Sequence, residues 1–114
     1  MKQVRFYVGC SDTDTRLPDA LLNIARSYGG YTLISARGAW VDPVTNAIVT
    51  EPSVIIEVST EKYLDAIKKT AEYLRETFGQ ECVLMTVNLT TESFFVFAEN
   101  THRLPGGPHE NYAK

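Results

Sequence analysis

Residues 60–80, TEKYLDAIKKTAEYLRETFGQ, constrain the fold more than any other stretch of this chain. Leu64, Ile67, Ala71, Leu74 and Phe78 recur at alternating steps of three and four, which places them on one stripe of a helix. Glu61, Asp65, Lys68, Lys69, Glu72, Arg75 and Glu76 mostly fall off that stripe, as on a solvated outer face. Thr60 is the predicted N-terminal cap, and Gly79 the predicted stop. Such a helix has one apolar face to bury, and the flanking segments supply the surface for it.

Those segments read as strands. In KQVRFYVGC, Val4, Phe6, Val8 and Cys10 alternate with Gln3, Arg5 and Tyr7. PDALLNIARSYGG opens with Pro18 and Asp19, carries Leu21, Ile24, Ala25 and Tyr28 on one stripe, and closes on Gly29-Gly30, so it is a second helix. YTLISARGAWV and AIVTEPSVIIEVS form a hairpin around DPVTN, where Asn46 suits left-handed backbone. Pro52 implies an edge or a bulge. After the second helix, Val83, Met85, Val87 and Leu89 alternate with Leu84, Thr86 and Asn88, and TTESFFVF is a candidate further strand.

The order strand, helix, strand, strand, helix, strand is the ferredoxin-like split βαβ arrangement of an α+β fold (βαββαβ), here with an extended hairpin. Both helices then cover one sheet face. The other carries Arg5, Tyr7, Glu57 and Asn88 beside Ile55 and Leu84, a mixed surface suited to a ligand cleft or an oligomer interface. The end of the first strand lies beside the start of the fourth, which makes Cys10 and Cys82 neighbours. A cross-link between them is not expected in a reducing compartment, and burial is the expected state of both thiols. We expect one domain over residues 1–97 and a C-terminal tail or lid over 98–114.

With 114 residues and a net charge of −3, the chain suits one core and no DNA or RNA polymer partner. No apolar run spans a membrane and no secretory signal is evident, so a cytoplasmic protein without a membrane partner is expected. Zinc needs more than two dispersed cysteines, and neither a metal nor a cofactor is expected.

Catalysis is not expected either. Motifs of serine hydrolases, P-loop proteins and zinc proteases are absent, and both histidines, His102 and His109, lie in the tail. Binding is the better reading of the residue types. Phe78 ends the helical stripe, so it is either core or a ring at a pocket rim that stacks on a base. Asn88 on the open sheet face either offers its amide to a nucleobase edge or ribose or is simply an exposed strand-end residue. Arg103, in the Pro- and Gly-rich tail with His102, is a phosphate fork if the tail closes as a lid, and a residue of a disordered end if it does not. Phe94 and Phe95 add rings near the C-terminus. Arg37 and Trp40 lie on the hairpin, Trp40 as an interface anchor or simply packed on a neighbouring strand.

VRFYVGCSDTDT, YTLISARGAW with EPSVIIEV, and FGQECVLM resemble a phage family, the first-described anti-Thoeris nucleotide sponges. The resemblance implies a non-enzyme that sequesters cyclic ADP-ribose-type signals, such as glycocyclic ADP-ribose, in the host cytoplasm, with cyclic oligonucleotides held at separate sites. It implies a homo-oligomer, dimer-based and up to a hexamer, with the pocket built from two protomers. By order and spacing its pocket residues would be Phe78, Asn88 and Arg103, and Arg5, Arg37 and Trp40 are candidates for a second ligand site or an interface. Two other readings stand beside it: a ferredoxin-like module whose open face binds another protein, and a small enzyme using a tail histidine.

Overall fold

A computed structural model of the chain describes residues 1–89 and Val96. Its elements are β1 (Lys2–Val8), α1 (Leu17–Tyr28), β2 (Thr32–Val41), β3 (Ile48–Thr60), α2 (Leu64–Thr77) and β4 (Leu84–Leu89). The strands form one antiparallel sheet in the order β2-β3-β1-β4, the ferredoxin-like arrangement expected. Apart from Val96, the candidate strand at 90–97 with Phe94 and Phe95, the proposed boundary at 97, and the tail with His102, Arg103 and His109 lie outside the described residues.

Alternation decides the faces. Val4, Phe6 and Val8 of β1 and Val54, Ile56 and Val58 of β3 are buried against the helices. They meet Leu17, Ala20, Leu21, Ile24 and Tyr28 from α1, and Ile67, Leu74 and Phe78 from α2. Phe78 is therefore a core residue, 3% exposed. The Arg16 guanidinium lies 5.1 Å from its ring centroid, closing it off from the loop side. Leu64, the first member of the predicted stripe, is instead largely exposed at the start of α2.

The predicted caps divide. Gly29 and Gly79 take left-handed backbone, φ 83° and 61°. At α2 the Gly79 N–H reaches Glu76 O at 3.2 Å and the Gln80 N–H reaches Arg75 O at 2.9 Å, a complete Schellman turn. Thr60 does not cap α2. It ends β3, and its hydroxyl accepts the Lys62 N–H at 3.0 Å, while Tyr63 takes the cap position with no side-chain bond. Strand propensity and pairing with Lys2 hold Thr60 in the sheet.

Pro52 causes no bulge. The β2–β3 register runs unbroken from Thr32 opposite Glu57 to Val41 opposite Ile48. β1 pairs with β3 only as far as Val8 opposite Val54, so among the described residues Pro52 faces an open edge, where a missing N–H is tolerated. Beyond Val54 the hairpin continues as a two-stranded arm, with Trp40, Val41, Val44 and Ile48 exposed at its end.

The loop after β1 is tied down by Arg16, which donates to both carboxylate oxygens of Asp14 at 2.7 and 3.0 Å. Hydrogen bonds from the Arg16 side chain and backbone hold the Asp14 carboxyl down at about 2. A carboxyl depressed in the folded state stabilises it above the ordinary carboxylate range, and that contribution is lost as pH falls toward 2. Carbon-detected NMR titration should give an Asp14 midpoint near 2 that returns toward about 4 in Arg16→Ala. Gly79→Ala should cost about 1 kcal/mol, because a Cβ is disfavoured at φ 61°. Thermal melts should show this as a fall of roughly 5 °C.

Candidate functional site

The open sheet face is built from the other half of the alternation. Gln3, Arg5 and Tyr7 on β1 stand beside Ser59, Glu57 and Ile55 on β3 and Asn88, Thr86 and Leu84 on β4. Arg5 donates to Glu57 at 2.6 Å, and that bond raises its guanidinium pKa above the ordinary value. Arg5 is therefore paired within its own sheet. Asn88 shares this face but lies opposite Gln3, four residues along β4 from Leu84.

A cleft of about 710 Å³ opens at the other end, where β1 stops and the arm begins. Tyr7, Trp40, Glu51 and Leu84 enter it from strands, and Gln80 and Glu81 from the turn after α2. No lysine, arginine or histidine among the described residues lines it. Its character is acidic and aromatic, with room for a nucleoside-sized molecule.

Gly9 shapes one wall. A Cβ there would lie 2.6 Å from Gln80 Oε1 and 2.9 Å from Glu51 Oε1, so the missing side chain lets both groups close over the backbone. Gln80 is fixed in orientation. Its Nε2 donates to the carbonyls of Gly9 at 3.1 Å and Phe78 at 3.2 Å, which leaves Oε1 as an acceptor beside the Glu51 carboxylate. Two adjacent oxygen acceptors suit an ammonium group or a pair of ribose hydroxyls, and the rings of Tyr7 and Trp40 suit an adenine face or a cation.

The structure thus redistributes the predicted site residues. Trp40 lines the cleft, whereas Arg37 belongs to the opposite face of the same hairpin, in register with Pro52. Phe78 lies on the helix side of the sheet and Asn88 on the other, so one copy of the chain does not bring them together. Cys10 is buried and its thiol pKa raised by that burial, while Cys82 is exposed at the cleft, contrary to the expectation of two buried thiols, and both are free. Glu51, Gln80, Glu81 and Gly9 were not singled out from the sequence. The available signal was topological: the end of β1 and the start of β4 are neighbours, so whatever follows the Gly79 stop meets whatever follows Val8.

The fold is shared with a class of small sheet-and-helix proteins. The GlnK–ATP complex from B. subtilis superposes with a TM-score of 0.62 at 11% identity, over 82% of this chain and 84% of that one. CutA from Pyrococcus horikoshii gives 0.57 at 14% identity, over 82% of this chain and 87% of that one. A phage SAM lyase in complex with S-methyl-5'-thioadenosine gives 0.59 at 22% identity, over 89% of this chain and 92% of that one. No curated protein matches the sequence.

The family model of the S-adenosylmethionine lyases matches residues 10–113, and the chain belongs to that family. This overturns the expectation of a non-enzyme, because the family is one of enzymes. A phage SAM lyase shares this fold, but the family that matches is not that of the nucleotide sponges.

Gly9→Ala should leave the fold intact, since the side-chain ends of Gln80 and Glu51 can move. It should displace both acceptors and fill that wall. The expected result is a melting temperature within a few degrees of wild type together with weakened binding of adenine nucleosides, read by calorimetry.

Proposed function

We propose that this protein is a lyase that binds S-adenosylmethionine in the acidic cleft and releases S-methyl-5'-thioadenosine. The observation that carries the reading is the charge of the cleft. S-adenosylmethionine brings a sulfonium and an α-ammonium, and the lining holds Glu51 and Glu81 with no cationic side chain among the described residues. A pyrophosphate-bearing cyclic ADP-ribose would meet the same carboxylates with no counter-charge among the described residues, which weighs against sequestration of such a ligand here.

In this reading Tyr7 and Trp40 cover the adenine and the sulfonium, while Glu51 and the Gln80 carbonyl hold the α-ammonium. The reaction consumes no water. The bond from sulfur to the Cγ carbon breaks with its electron pair going to sulfur, leaving a neutral thioether. The substrate's own carboxylate oxygen bonds to that carbon and closes a five-membered lactone, so no proton moves and no histidine is required. Holding the ammonium turns the carboxylate toward the carbon it attacks, a gain in effective concentration. The step also annihilates charge, so the apolar surfaces of Leu84, Tyr7 and Trp40 favour it.

The cleft is open on the arm side, and an isolated two-stranded arm is marginally stable in water. The exposed Trp40, Val41 and Ile48 give a second copy of the chain an apolar surface to cover, so we place the working site in a homo-oligomer. In this reading the protein acts in the bacterial cytoplasm, where S-adenosylmethionine is made.

Incubation with S-adenosylmethionine and mass spectrometry test this reading. Many equivalents of S-methyl-5'-thioadenosine and homoserine lactone should form per protein. Glu51→Gln should lower kcat/KM by about ten- to a hundredfold, the worth of one charge-assisted hydrogen bond. Intact S-adenosylmethionine recovered after prolonged incubation would overturn the enzyme reading.

A further inference from the structure

The helix layer carries a second concavity that the proposed reaction does not use. It is a groove of about 390 Å³ between α1 and α2. Asn23, Arg26 and Ser27 form one wall at helical spacing, and Lys69, Thr70 and Tyr73 form the other. Its lining contains no carboxylate. The charge pattern is therefore the reverse of that in the acidic cleft, on a chain whose net charge is −3.

Its cations are unspent. Arg5, Arg16 and Arg75 are bound to Glu57, Asp14 and Glu72, whereas neither Arg26 nor Lys69 makes an ion pair or side-chain hydrogen bond among the described residues. Glu72, three residues after Lys69 on α2, is taken by Arg75 at 2.6 and 3.0 Å. The hydroxyl of Tyr73 is oriented as well. It accepts the Asn23 Nδ2–H at 2.8 Å, and its own hydrogen has no protein acceptor among the described residues. Thr70 is held in place by Tyr28 at 2.7 Å, and Lys62 lies 5.5 Å from the centroid of that Tyr28 ring.

We propose that this groove binds a phosphate group carried by a small molecule. Arg26 offers a planar fork from one helix, Lys69 a point charge from the other, and Tyr73 and Ser27 add hydroxyl donors. Donors arriving from two walls match the tetrahedral oxygens of a phosphate better than the two coplanar oxygens of a carboxylate. The site lies on the helix layer, away from the open sheet face, so it can be occupied while the acidic cleft holds its own ligand.

The test is an NMR titration of the full isotope-labelled chain with inorganic pyrophosphate, and separately with succinate. Saturable shifts should appear at the amides of residues 23–27 and 69–73, with succinate binding more weakly. Arg26→Gln combined with Lys69→Gln should weaken pyrophosphate binding at least about tenfold. No saturation by roughly 10 mM, equal binding by the double variant, or succinate binding as tightly as pyrophosphate would each overturn the proposal. The readout is confined to the helix layer and uses no S-adenosylmethionine, so it stands or falls separately from the lyase reading.

Discussion

The structure depends on β1 being paired along both edges. From Lys2 to Tyr7 each residue has a partner on β3 and on β4, and Val4, Phe6 and Val8 are completely buried beneath the helices. This one strand fixes the register of the two others, sets which face is apolar, and places the chain's exit from the sheet at Gly9. Because side chains alternate, burying those three residues forces Arg5 and Tyr7 onto the open face. The cleft is a consequence of where β1 stops. Past Val8 the β2–β3 pair continues alone, leaving a recess bounded by the arm on one side and the turn before β4 on the other.

That recess is made chemically specific by convergence of segments far apart in sequence. Gly79 stops α2 in a left-handed turn and delivers Gln80 onto the carbonyl of Gly9. Glu51 arrives from β3, opposite Gly38 of β2. The space for both exists because residue 9 has no Cβ. A core strand, a helix cap and a hairpin therefore share one point, and each has a structural duty besides its place at the cleft.

Much of the fold was legible in the sequence because its cues are local and periodic. Alternation in KQVRFYVGC, the stripe of α2 and the glycines at 29 and 79 each reflect short-range geometry, and the structure agrees with them. Pro52 was read as an edge or a bulge and is an edge, whereas Thr60 was read less well, since a cap depends on what pairs with the residue. The site was hardly legible. Trp40 and Tyr7 were noticed, but Glu51, Gln80 and Gly9 carry no motif, and the cleft exists only after three segments meet. Phe78 drew notice as an aromatic near a helix end, yet its position on the stripe assigns it to the core.

The sequence by itself determined the element order, the two-faced sheet and, through the match over residues 10–113, the family. The first two follow from periodicity along the chain, which needs no knowledge of distant neighbours, and the family from the match alone. Only the tertiary structure decided that carboxylates and rings gather on the sheet face while unpaired cations gather between the helices. Charge clustering is a property of space, and residues separated by 71 positions, such as Gly9 and Gln80, become contacts only when the sheet closes around β1.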